Sequence, residues 1–239
     1  MGEGIGNDAE IMPYLSSANI SCGYHAGNIE TIVETVLLAR KNNVAIGAHP
    51  SFPDKENFGR TDMLLPIEKI YELVALQVEL LLEISRVAEM KLHHVKPHGA
   101  LYNTAAKDPL IANAIALAVK NANAGLILYG LSGSHLITEA KSIGLSTANE
   151  AFADRTYNND GSLTSRNVPG ALIEDPAIAV KQVLKIVKEG RVTTVSGKEI
   201  PIVADTICVH GDGNHAVGII KSIYEELKKE NISIRCIKQ

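Results

Sequence analysis

The sequence predicts an α/β fold in which βαβ units build a parallel sheet, as a single domain over residues 1–239. Three observations predict it. Short apolar runs alternate along the chain with longer segments whose apolar residues recur three and four apart. Acid–proline pairs stand where some of those longer segments open. The short runs carry apolar side chains on one face and small or polar ones on the other. A chain of 239 residues, 46% hydrophobic, can bury one substantial core.

The elements follow in order. A strand is expected over Asn19–Tyr24, then a helix striped by Ile29, Ile32, Val33, Val36 and Leu37. Val44–His49 is the second strand. Pro66 and Glu68 mark the start of a long helix carrying Ile70, Leu73, Val74, Leu80, Leu81, Ile84 and Val87. Leu92–Pro97 is the third strand. Asp108-Pro109 opens a helix with Ile111, Ile115 and Val119, because an acid caps the free N–H groups and proline suits the first helical position. Strands are expected over Leu126–Gly130 and Leu145–Glu150, with Gly144 ending the helix between them. Ala151–Gly170 lacks periodicity and reads as one long loop. Asp175-Pro176 caps a helix with Val180, Val183, Leu184 and Val187, which Gly190 stops. Val192–Ala204, broken at Ser196-Gly197, reads as a β-hairpin. Asp205–His210 is a further strand, and Ile232–Ile237 a last one.

Composition excludes several classes of function. The net charge of −4 and the absence of a clustered basic face argue against nucleic acid. No apolar run approaches the ~20 residues that span a bilayer, and no secretory leader is visible. Cys22, Cys208 and Cys236 are odd in number and lack metal-type spacing, so a reduced, cytoplasmic setting is expected.

Parallel strands covered on both faces should be nearly all apolar. These are not. Asn19, Ser21, Gly23 and His25 share a face, as do Ala45, Gly47 and His49; His94, Lys96 and His98; and Thr206, Cys208, His210 and Asp212. Polar faces ending in ionisable groups suit a barrel whose mouth, at the C-terminal ends of the strands, is the site. An open doubly wound sheet places sites similarly and is the competing architecture. His25, His49, His98 and His210 all stand at such strand ends, which makes them the candidate catalytic histidines.

The local motifs add detail. In "GAHPSFPD" (residues 47–54), two prolines stiffen the loop after His49. In "KPHGALYN" (96–103), Lys96 suits an anionic group, His98 proton transfer, and Gly99 close backbone approach, with Asn103 as a further substrate contact. In "FADRTY" (152–157), Asp154 stands beside Arg155, whose guanidinium can hold a carboxylate or phosphate through two hydrogen bonds. "CVHGDG" (208–213) places His210 and Asp212 before a helix. Two rim histidines with a carboxylate would make an open divalent-metal site, for which His25 and His49 are the candidates. No stretch has the spacing of a standard ATP-binding loop.

Taken in order, "SSANISCGYHAGN", "VAIGAHPSFPD", "FGR", "HHVKPHGALYN", "FADRTY" and "ADTICVHGD" resemble the signature blocks of the LamB/YcsF family. That family forms the A subunit of bacterial ATP-dependent 5-oxoprolinase. The resemblance implies a seven-stranded β/α barrel of the glycoside hydrolase/deacetylase type. It also implies opening of the 5-oxoproline lactam to L-glutamate at the expense of ATP, with Mg2+ as the nucleotide's metal and subunits B and C as partners. His25, His49, His98, Asp154, His210 and Asp212 would then serve catalysis, and Lys96, Arg155 and Asn103 would hold substrate. A stand-alone metal-dependent amidohydrolase or deacetylase is the alternative, as is a non-catalytic substrate-binding subunit. Family members usually begin with a strand like D-L-N-x-D-x-G-E. This chain starts at Met1-Gly2-Glu3-Gly4, so the first strand and its acid are expected to be missing. Self-association through the edge so exposed is a further expectation.

Overall fold

The computed structural model describes residues 1–238. Its main sheet contains β1 (Ser17–Ser21), β2 (Ala45–His49), β3 (Leu92–Val95), β4 (Ile127–Leu131), β5 (Ser146–Phe152) and β8 (Thr206–Cys208), in the order β1-β2-β3-β4-β5-β8. The pairs β1–β2, β2–β3, β3–β4 and β5–β8 are parallel. A hairpin of β6 (Arg191–Thr193) and β7 (Glu199–Pro201) stands apart, antiparallel, turning at Gly197 with φ +81°. This matches the hairpin expected from Ser196-Gly197. Ile232–Ile237, expected as a strand, forms none. Its alternation covers a few residues only and follows directly on the end of a helix. The sheet therefore has six strands among the described residues.

The chain divides into two compact units. The first comprises Met1–Gly130 and Ser134–Ala148 with Lys238; the second comprises Leu131–Gly133 and Asn149–Ile237.

In the first unit, a short α1 (Asp8–Ile11) precedes β1. The helices α2 (Ile29–Lys41), α3 (Ile67–Val87), α4 (Gly99–Lys107), α5 (Pro109–Ala122) and α6 (His135–Ser142) follow or connect the strands. The caps behave as their chemistry dictates. Asn28 accepts from the Thr31 N–H while the Thr31 hydroxyl accepts from the Asn28 N–H, closing a capping box on α2. Asp108 accepts from two N–H groups at the start of α5. Buried faces such as Ile32, Val36 and Ala39 on α2, and Ile70, Val74, Val78 and Leu81 on α3, lie on the stripes that periodicity predicts. The N-terminal residues lie along β1, where the Ser21 N–H donates to the Met1 carbonyl at 2.9 Å and the Met1 amino group donates to the Asn19 carbonyl at 2.9 Å.

Gly47 in β2 sits at a register irregularity against β3, and a Cβ there would lie 2.2 Å from His94 Nε2. The His94 ring fills that space. It stacks on Tyr129 with centroids 4.1 Å apart, and its Nε2–H donates to Asn19 Oδ1 at 2.9 Å. Gly47→Ala is therefore expected to lower the stability of the fold by about 3 kcal/mol, because a well-packed ring must leave its position. A chemical-denaturation midpoint reads this, and a midpoint equal to wild type would refute it.

In the second unit, β5 runs on to Phe152 and no regular element then forms until α7 (Pro176–Glu189). Gln182 on α7 fixes this loop by donating to the carbonyls of Phe152, Ala153 and Arg155, at 2.8, 3.3 and 2.9 Å. The Tyr157 hydroxyl accepts from the Phe152 N–H at 2.7 Å. Ala179 and Val183 of α7 pack with Ile219 and Ile223 of α8 (Ala216–Lys229) and with Ala153.

Candidate functional site

Three of the expected histidines come together in the first unit. His25 lies in the turn after β1, His49 ends β2, and His98 precedes α4. All three are buried. His25 and His98 stack face to face, with centroids 3.8 Å apart and planes 3° from parallel. The Phe58 ring meets both edge-on at 5.4 Å. Gly59 makes room for the stack: a Cβ there would come within 2.8 Å of His25 Cβ and 3.0 Å of His98 Cδ2.

A carboxylate completes the group. Glu3 Oε1 lies 3.2 Å from His25 Nε2, and Oε2 lies 3.6 Å from the chain's amino group. Glu3 is thus the carboxylate in contact with this cluster. Burial acts to raise the Glu3 pKa, but the N-terminal ammonium, the His25 hydrogen bond and the neighbouring rings outweigh it and hold it at about 2. An ionised carboxylate only accepts, so His25 Nε2 carries the proton. His25 Nδ1 then accepts from the Ser51 hydroxyl at 2.9 Å. Ser51 is fixed in turn by Gln77 of α3, whose amide bonds both its N–H and its carbonyl at 2.9 Å.

His49 Nδ1 faces the Lys96 carbonyl at 2.6 Å, and His98 Nε2 faces the Phe58 carbonyl at 2.8 Å. Carbonyls accept, so each ring donates there. Burial, then the charges of neighbouring rings, pushes His49 well below the usual imidazole range and His98 down to about 3. Lys96 is buried, with its ammonium 5.6 Å from the Tyr102 ring centroid, and its charge also acts on His49 and His94. Asn103 is exposed on α4. Cys22 beside them is buried, and burial lifts its thiol to about 12, which leaves it unreactive.

The second unit holds the other expected pair. Both carboxylate oxygens of Asp154 lie near His210 Nδ1, at 3.0 and 2.9 Å, and one also accepts the His210 backbone N–H at 2.9 Å. The carboxylate fixes the proton on Nδ1 and leaves the Nε2 lone pair available. Burial acts to raise the Asp154 pKa, but the charge and hydrogen bonds of His210 bring it below the usual carboxylate value. Phe152 stacks on the His210 ring at 5.6 Å. Arg155 is buried and donates to the Thr164 carbonyl, tying the long loop to itself. Asp212 is half-buried two residues after His210, outside this pair.

The geometry sorts the expected residues into two groups: His25, His49 and His98 in one unit, and Asp154 and His210 in the other. Glu3 was missed by sequence reasoning. Its only signal was its place between two glycines in Gly2-Glu3-Gly4. Among the described residues, one group of three side chains has its ligand atoms close enough to hold a metal ion together: Glu3, His49 and His98, within 4.8 Å of one another; His49 is the member that the expected His25–His49 pair shares with it.

A family model described as the LamB/YcsF family matches residues 1–239. The chain belongs to the LamB/YcsF family. Among its curated relatives is the A subunit of 5-oxoprolinase from Shouchella clausii (strain KSM-K16), 51% identical over 97% of this chain and 91% of that protein. Another is the A subunit of 5-oxoprolinase from Staphylococcus carnosus (strain TM300), 50% identical over 98% of this chain and 95% of that protein. A solved structure, that of a lactam utilization protein from Thermus thermophilus, superposes with a TM-score of 0.92 at 41% identity, covering 99% of this chain and 97% of the other. The fold is therefore that of LamB/YcsF proteins, as the ordered motifs imply. No helix among the described residues is long and apolar enough to cross a membrane.

Proposed function

We propose that this LamB/YcsF chain is the A subunit of an ATP-dependent 5-oxoprolinase. With B and C subunits it opens the lactam of 5-oxoproline to L-glutamate, consuming ATP with Mg2+ in the cytoplasm. The names and near-full coverage of its relatives support the substrate. On the structural side, the reading is carried by the Asp154–His210 pair, an imidazole with a fixed tautomer and an open Nε2.

A lactam is a resonance-stabilised amide, and phosphorylation of its oxygen by ATP would weaken that resonance. Water must then attack the ring carbon, and the ring nitrogen must leave with a proton. His210 suits this proton transfer, since Asp154 orients it and stabilises its protonated form. The histidine cluster of the first unit suits water activation, and Lys96 and Arg155 suit the anionic groups of substrate or phosphate. A second reading, a metal-dependent amidohydrolase acting alone, is favoured by the grouping of Glu3, His49 and His98.

The test is glutamate release from 5-oxoproline by this chain mixed with its B and C partners. Release that requires both ATP and the partners is the expected result. Release without either supports the second reading, and no release under any of these conditions refutes the first.

A further inference from the structure

We propose that Glu3, His49 and His98 form a binding site for one divalent transition-metal ion of the Zn2+ class. The hydrogen bonds place the protons on the three rings. His25 donates through Nε2 to Glu3 and accepts through Nδ1 from Ser51, so both its nitrogens are committed. His49 has spent its N–H on the Lys96 carbonyl, and His98 has spent its own on the Phe58 carbonyl. As neutral rings, they retain one lone pair each, on His49 Nε2 and His98 Nδ1. Those two atoms face each other at 3.0 Å. With no proton on either, they cannot bond to one another, and two lone pairs at that distance repel. A positive species between or beside them resolves the conflict.

That species is either a shared proton or a metal ion, and three features favour the metal. First, a carboxylate oxygen of Glu3 joins the two nitrogens within 4.8 Å; a shared proton needs only the nitrogens. Second, each imidazole donates its far N–H to a main-chain carbonyl, the arrangement that orients metal-ligating histidines and raises their basicity. Third, the carboxylate is itself held by a layered support, from Gln77 to Ser51 to His25 to Glu3. Two imidazole nitrogens and one carboxylate suit Zn2+ or Co2+ better than Mg2+ or Ca2+, which prefer oxygen throughout. Three protein ligands also leave a coordination position for water or substrate. The proposal does not depend on which reaction the protein performs.

The experiment uses the full chain, stripped with a chelator and titrated at neutral pH with Co2+, then Zn2+. Calorimetry gives the affinity and stoichiometry, and the visible absorption of Co2+ reports its ligands. One Co2+ per chain, with d–d bands that Zn2+ abolishes, is expected. Glu3→Gln should weaken binding by about tenfold or more, and His98→Gln further. His215→Gln, at an exposed position outside the cluster, should leave binding unchanged. Circular dichroism confirms that each variant is folded. Should His98→Gln fail to fold, Glu3→Gln decides alone. The proposal is overturned if folded wild type binds no Co2+, or if binding is indifferent to Glu3→Gln. Nitrogen NMR showing a proton between His49 and His98 in the presence of excess Zn2+ would overturn it equally.

Discussion

His210→Ala is expected to lower kcat of the assembled, ATP-supplied enzyme by about 10²–10⁴-fold, the usual contribution of a positioned acid–base group. The side chain is one-quarter exposed and packs on Phe152, so its loss should leave the fold intact. KM should move little, because the ring is assigned to the chemical step rather than to holding substrate. Asp154→Asn should also lower kcat. An amide can donate towards Nδ1, which favours the wrong tautomer and withdraws the charge that stabilises the imidazolium. It differs from His210→Ala in one respect: Asp154 also accepts the His210 backbone N–H, so some stability goes with it. Steady-state kinetics on both variants, with thermal melts, checks the argument. A kcat for His210→Ala within a factor of a few of wild type would remove His210 from the mechanism.

The second large effect is expected at Gly99. Its φ is +56°, and a Cβ there would lie 2.3 Å from the backbone oxygen of Gly59. Backbone cannot swing aside as a flexible side chain can. The Gly59 carbonyl also accepts from the Ala100 N–H at 2.9 Å, so displacing it unmakes that hydrogen bond at the start of α4. Gly99→Ala should therefore cost about 3 kcal/mol or more, combining left-handed strain with a forced backbone shift. Because the Phe58 carbonyl oxygen holds His98 Nε2, the same shift should disturb the histidine cluster. Denaturant unfolding measures the first effect. A variant as stable as wild type would mean that the 58–59 segment yields easily.

How much of this was legible in the sequence depends on the range of the interaction involved. Strand-end histidines could be read from local alternation, because a period of two residues decides which side chains share a face. That reasoning found His25, His49, His98 and His210 but could not group them. His25 meets Ser51 across 26 residues, and His98 meets His49 across 49. Glu3 escaped because an acid in an irregular stretch carries no periodic signal, and only the fold brings it to His25. Asn103 was named from its motif, and in the fold it is exposed on the helix that begins at Gly99. Ile232–Ile237 shows the opposite failure, an alternation without a neighbouring strand to pair with. The caps at Asp108 and Asp175 were legible because capping is a contact between near neighbours.

The clamp of Gln77 on Ser51 has a consequence for motion. Its amide ties the middle of a 21-residue helix, α3, to the loop beneath His25. The same loop is pinned from the segment that joins β3 to α4, where the His98 N–H donates to the Pro50 carbonyl, while the Lys96 N–H donates to that of Ala48 in β2 just before the loop. Local fluctuations in such a network cannot remain local. The amides of Ser51, Lys96 and His98 are therefore expected to open together with the helix, which hydrogen exchange would read as a shared protection. The histidine cluster then keeps its arrangement on every timescale shorter than that of this shared opening, and its geometry is ready before any ligand arrives.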